Sequence, residues 1–244
     1  MIMSKPKCQL FLVAVVTSVI ALSLTTDTYA QAYPNPYRQV EDWAKLPTGR
    51  EMGAVGGVTV DRDGRHIWAI IRCDASAPER FGNECLDSDL DPVVKFAPDG
   101  TVAESFGGGM FIWPHGIDID PNGNVWVTDA VSEERTPIGT RGHQVVKFSA
   151  TGDVLMTLGT PGKAGGGKNH FNAPADVVIA DDGSIFVADG HNGTGNNRVV
   201  KFSSNGAYIK EWGKTGYGPG EFRTLHAIAL DLSLIHISEP TRRY

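Results

Sequence analysis

Past the first thirty residues, hydrophobic and polar positions along this 244-residue chain change over in short runs, with no sustained helical period. One run recurs. Val93-Val94-Lys95-Phe96 is followed by Asp99-Gly100, Val145-Val146-Lys147-Phe148 by Thr151-Gly152, and Val199-Val200-Lys201-Phe202 by Asn205-Gly206. The three phenylalanines are about 53 residues apart, a period that marks a propeller or another solenoid. Between His115 and Gly159 the pattern predicts four strands: Gly116 to Asp120, Val125 to Thr128, Gln144 to Phe148 and Val154 to Leu158. Pro121-Asn122-Gly123-Asn124 turns the first into the second, with an Asn-Gly pair suited to a hairpin. Ala150-Thr151-Gly152 turns the third into the fourth. The fold class expected is all-β, a β-propeller of four-stranded blades around a central channel. The 29 glycines agree with a fold of many tight turns.

The two ends follow other rules. Residues 1–30 read as a signal peptide. Lys5 and Lys7 precede a run from Leu10 to Leu24 that is apolar apart from Thr17, Ser18 and Ser23. Thr28-Tyr29-Ala30 resembles a cleavage site before Gln31. An uncleaved anchor is the alternative, but the run is short for a span. After cleavage no stable membrane insertion is expected. Residues 31–52 form a lead-in, 53–231 a partial propeller, and 232–244 a tail resembling a translated sequencing adapter. The tail is therefore expected to be non-native, and His236 is given no weight. Export makes the chain secreted or periplasmic and lets Cys73 and Cys85 pair, two free thiols being the alternative. A net charge of -6 without a Lys/Arg cluster argues against a nucleic-acid partner.

Candidate chemistry enters through repeat phase. At the mouth of the first strand, successive repeats carry Gly56, His115, Ala175 and His226. First strands are the innermost of a blade, so these positions ring the channel. Two histidines two repeats apart, alternating with small residues, could hold zinc with an open position. A structural or channel-capping role for each histidine is the alternative.

Val187-Ala188-Asp189-Gly190, Asn197-Arg198-Val199-Val200-Lys201-Phe202, and Trp212-Gly213 through Gly218-Pro219-Gly220-Glu221-Phe222 resemble NHL repeats. The resemblance runs from about Gly53 to Asp231. The segment Trp113-Pro114-His115-Gly116-Ile117-Asp118, continuing to Asp129, resembles the first zinc segment of the peptidyl-α-hydroxyglycine α-amidating lyases. That resemblance implies a six-bladed ring, of which about four blades fall in this chain, and a monomer when the ring is complete. It implies zinc on three histidines, two matching His115 and His226, with the third expected beyond residue 231. It also implies a structural calcium held by backbone carbonyls at Val58 and Ile117. A catalytic arginine of the family matches Arg72. Its catalytic tyrosine follows a motif matched by Asp189-Gly190, where this chain has His191. His191 is then either the general base, its ordinary pKa being near neutral, or a loop residue in a relative without the activity.

The function expected is a secreted zinc-dependent lyase that cleaves the C–N bond of a peptidyl-α-hydroxyglycine or similar carbinolamide. A small-molecule or peptide substrate would sit in the channel. A non-catalytic NHL binding module and a metal-dependent hydrolase or lactonase are the alternatives. Gly162 to Lys168 has the spacing of a phosphate loop, but Asn169 stands where Ser or Thr is needed. Asp87, Asp89 and Asp91 resemble a calcium loop interrupted by Pro92. Asn192-Gly193-Thr194 is a weak glycosylation match. Asp129 and Asp189 are expected to tie down the loops after the second strands.

Overall fold

The computed structural model describes residues 35–73, 84–132, 139, 141–191, 193, 195–231 and 237–238. The signal peptide, the loop after Cys73, most of the tail, and Asn192 and Thr194 of the glycosylation match lie outside them. The chain from Glu41 onward forms one compact unit. Among its described residues there is no helix.

Three four-stranded antiparallel sheets follow one another, each in sequence order. The first blade is β1 (Val55–Val60), β2 (Ile67–Ile71), β3 (Val93–Phe96) and β4 (Val102–Phe106). The second is β5 (Pro114–Ile119), β6 (Val125–Asp129), β7 (Gln144–Phe148) and β8 (Val154–Gly159). The third is β9 (Pro174–Ile179), β10 (Ile185–Asp189), β11 (Arg198–Phe202) and β12 (Tyr208–Trp212). The first strand of the second blade therefore begins two residues before the expected Gly116. Among the described residues, the segment from His226 pairs only at β13 (Ala229–Leu230), antiparallel to β14 (Ile237–Ser238).

The burial gradient explains the sequence pattern. β6 and β10 are covered on both faces, so they read as nearly unbroken apolar runs. The outer strands β4, β8 and β12 expose most of their positions and read as mixed polar. The inner strands β1, β5 and β9 lie side by side. Glycine permits this approach: a Cβ on Gly56 would stand 2.8 Å from the His115 carbonyl oxygen, and one on Gly116 would stand 2.7 Å from that of Ala175. Because the inner strands converge, side chains at their ends share one small volume.

Candidate metal centre

His115 lies on β5 and is buried. Its Nδ1 donates to the Ala175 carbonyl oxygen at 2.9 Å. A carbonyl can only accept, so the proton is on Nδ1 and Nε2 keeps its lone pair. The Thr128 hydroxyl donates to the same oxygen and accepts from the Gly116 N–H, fixing the strand around the ring. His191 follows the end of β10. Gly190 turns the chain there with φ 145°, which leaves no room for a side chain. The N–H groups of Gly190 and His191 both donate to the Ala173 carbonyl oxygen, at 3.1 and 2.8 Å. His226 sits between the buried Leu225 and Ile228, whose N–H donates to the Asp176 carboxylate at 3.0 Å.

Three separate elements thus deliver three imidazoles to one point. Ring centroids are 4.6 Å apart for His115 and His191, 4.8 Å for His115 and His226, and 4.7 Å for His191 and His226. One ring nitrogen from each lies within 4.8 Å of the others. Burial, assisted by His191, Arg72 and His226, pushes His115 down to about 3. Burial, then His226 and Arg72, pushes His191 down to about 4. Both rings are neutral at pH 7, the form that ligates a metal.

Arg72 follows β2 directly, and its own N–H donates to the Ala54 carbonyl at 3.0 Å. Its Nε donates to the Pro114 carbonyl at 3.2 Å, and its guanidinium lies 4.5 Å from the centre of the Trp113 ring. Trp113 in turn meets His191 edge-on at 4.6 Å and His115 at 5.6 Å. The Asp129 carboxylate holds Trp113 and Ile112 in place through their N–H groups, at 2.8 and 3.0 Å. Asp189 does the same for Asn172 in the next blade. These aspartates tie down the loops after the second strands as expected, Asp189 through Asn196 at 2.6 Å and Asp129 through Gly142 and Gln144. They also anchor the segment before the first strand, which the sequence pattern does not indicate. Cys73, next to Arg72, is joined to Cys85 by a disulfide.

Beyond the histidines a cavity of about 680 Å³ runs along the inner strands. Val58 and Ile117, expected calcium positions, both line it, together with Arg62, Asp118 and Asp176. The residues present suit zinc: three imidazoles, two of them held neutral by burial and one oriented by a carbonyl behind it. Tetrahedral zinc at about 2.0–2.1 Å needs nitrogens about 3.4 Å apart, and one nitrogen of each ring lies within 4.8 Å of the others.

The structure groups Arg72, His115, His191 and His226 as one site. The sequence reading had looked for a third histidine beyond residue 231; a third imidazole stands within the chain, at His191. Trp113, Asp118 and Asp176 were missed. For the two acids the available signal was their place on first strands, close to the His115 phase.

A family model described as a 6-bladed beta-propeller matches residues 168–238, and an NHL repeat model matches residues 111–135. A probable peptidyl-α-hydroxyglycine α-amidating lyase of Caenorhabditis elegans is 33% identical over 202 residues, covering 78% of this chain and 54% of that protein. The peptidylglycine α-amidating monooxygenase of Rattus norvegicus is 32% identical over 195 residues, covering 73% of this chain and 18% of that protein. NHL repeat-containing protein 3 of Mus musculus is 37% identical over 123 residues, covering 48% of this chain and 33% of that protein. The chain spans about half the length of the first relative and less of the other two. It is an NHL-repeat β-propeller protein, similar over most of its length to the peptidyl-α-hydroxyglycine α-amidating lyases.

Proposed function

We propose that the chain carries the site of a secreted or periplasmic zinc lyase acting on peptidyl-α-hydroxyglycine or a similar carbinolamide. The observation that carries this reading is the convergence of His115 and His226 beside Arg72, in a chain a third identical to a named amidating lyase. His115 and His226 would hold zinc, which as a Lewis acid lowers the pKa of a bound hydroxyl. Arg72 is placed to receive the substrate carboxylate through its planar fork, which the Trp113 face keeps oriented. In the overall change the hydroxyl proton moves to nitrogen as the C–N bond breaks. The products are an amide and glyoxylate, with no oxidant and no water consumed. The joined Cys73 and Cys85 support an oxidising compartment. The shared cavity of Val58 and Ile117 supports a structural calcium on their carbonyls.

The test is to supply an N-acyl-α-hydroxyglycine to the zinc-loaded protein and measure glyoxylate against spontaneous breakdown. Enzymatic release is expected. Arg72→Lys should lower kcat/KM by roughly 10–100-fold, the effect of losing a charged bidentate contact. No release above the blank would overturn the reading. It would then favour a non-catalytic NHL module, the second reading, supported by the likeness to NHL repeat-containing protein 3 and by a histidine where the amidating lyases resembled here carry a tyrosine.

A further inference from the structure

We infer that His191 is a metal ligand, completing with His115 and His226 a three-imidazole set contained within residues 115–226. The inference deepens the zinc reading above and rests on it. It changes the role of His191 from proton acceptor to ligand.

The geometry points to this in three ways. First, the rings form a nearly equilateral triangle, each centroid 4.6 to 4.8 Å from the other two. A proton acceptor needs to reach substrate; it has no reason to be equidistant from two ligands. Second, each histidine is fixed by a separate hydrogen bond, His115 through its ring and the other two through the backbone. His115 is oriented by the Ala175 carbonyl, the His191 backbone hangs from the Ala173 carbonyl, and the segment after His226 is tied to Asp176. Such anchoring preorganises a ligand set. Third, gathering three polar rings at one half-buried point carries a desolvation cost. A cation shared by their lone pairs offsets that cost directly. The edge of Trp113 against His191 narrows the ring's freedom further. Side-chain rotation can turn the three nitrogens, already within 4.8 Å of one another, toward one ion. Three imidazoles leave one coordination position open, the pattern of catalytic zinc sites.

The experiment uses the whole chain, stripped with a chelator and titrated with Zn²⁺ or Co²⁺. One metal per chain is expected, with intense visible Co²⁺ bands from a four-coordinate site and three imidazoles counted by zinc X-ray absorption. His191→Ala should keep its thermal unfolding transition. It should bind metal more weakly by more than the roughly 10–100-fold cost of losing an outer-shell partner. Two imidazoles in the wild-type absorption spectrum would overturn the inference even if the variant fails to fold. An unchanged affinity and Co²⁺ spectrum in His191→Ala would do the same, while leaving zinc on His115 and His226 intact. Wild-type protein that binds no metal would overturn the inference and the zinc reading together.

Discussion

Asp176 shows what a single residue contributes to the channel. Its carboxyl group accepts the N–H of Val177 at 2.9 Å and that of Ile228 at 3.0 Å, joining β9 to the segment that carries His226. Burial, with some help from Asp118, pushes its pKa up to about 7. The ordinary carboxylate value is about 3.9, so between the two values the native state holds a proton that the unfolded state has released. Its stabilising effect is complete below about pH 4 and is lost as pH rises toward 7, at about 1.4 kcal/mol per pK unit. Asp176→Asn should remove this slope. Urea unfolding of wild type and variant in EDTA, from pH 4.5 to 7, should show the wild type losing ground to the variant as pH rises. Parallel curves would contradict the account. The histidines of the unfolded chain titrate in the same range but are common to both proteins. Legibility in the sequence divides along similar lines. His115 and His226 could be found because repeat phase is a property of sequence. The meeting of His191 with them could not, because it depends on the turn at Gly190 and on convergence across blades. The stacking of Arg72 on Trp113 is likewise a contact between blades, and no local pattern encodes it.

At the scale of the element, the first two blades repeat one polar device inside an apolar sheet. In the first, Trp68 Nε1 donates to Asp61 at 2.7 Å and Lys95 pairs with the same carboxylate at 2.8 Å, its ammonium 5.2 Å from the Trp68 ring. In the second, Trp126 donates to Asp120 at 3.3 Å, Lys147 pairs with it at 3.0 Å, and the ammonium again lies 5.2 Å from the ring. The third blade has Ala180 and Phe186 at these positions, and Lys201 keeps only its place over the ring, at 5.0 Å. Carboxylate and indole N–H are absent together, so neither is left without its partner. This gives a double-mutant prediction. Asp120→Ala should cost roughly 1–3 kcal/mol or more, because it strips the acceptor from Trp126 and Lys147. In Asp120→Ala with Trp126→Phe, denaturant unfolding should show the changes coupled by about 1 kcal/mol, the pair costing less than the sum. Additivity within about 0.3–0.5 kcal/mol would show that the third blade's substitutions are unrelated to each other. The lysine of each Val-Val-Lys-Phe run is the same feature that made the repeat legible: a charge at fixed phase in an apolar strand. The four-stranded sheets and their strand order followed from it. The end of the chain was less legible, since pairing of β13 depends on its neighbours rather than on its own pattern.

Across the whole molecule, three apolar clusters lie between successive sheets or beyond the third. One joins Trp68, Val93 and Phe106 of the first blade to Phe111, Ile117 and Phe148 of the second. The next joins Trp126 and Val145 of the second to Phe171, Val187 and Phe202 of the third, and another joins Phe186 and Val199 of the third to Leu225 and Ile228. The first sheet covers its other face with Trp43, Ala44 and Leu46 of the lead-in, while the faces between sheets are buried only by neighbouring blades, so the stability of one blade is conditional on the next. The inner-strand ends that carry the histidines inherit their positions from this packing. Phe148 tests the argument, because it is fully buried and its ring meets Phe106 of the first blade at 5.1 Å and Phe111 at 6.1 Å. Phe148→Ala should cost about 3–5 kcal/mol. At roughly 2–4 °C per kcal/mol for a domain of this size, the melting temperature should fall on the order of 10 °C. Leu155 lies in the same blade, on the outer strand β8, and is 53% exposed. Leu155→Ala should stay within about 0.5 kcal/mol of wild type. Because the first cluster spans two blades, the Phe148→Ala transition should also remain single, with tryptophan fluorescence and far-UV circular dichroism giving the same midpoint. Two separated transitions would show that the blades unfold independently and that the clusters between them do not couple the sheets.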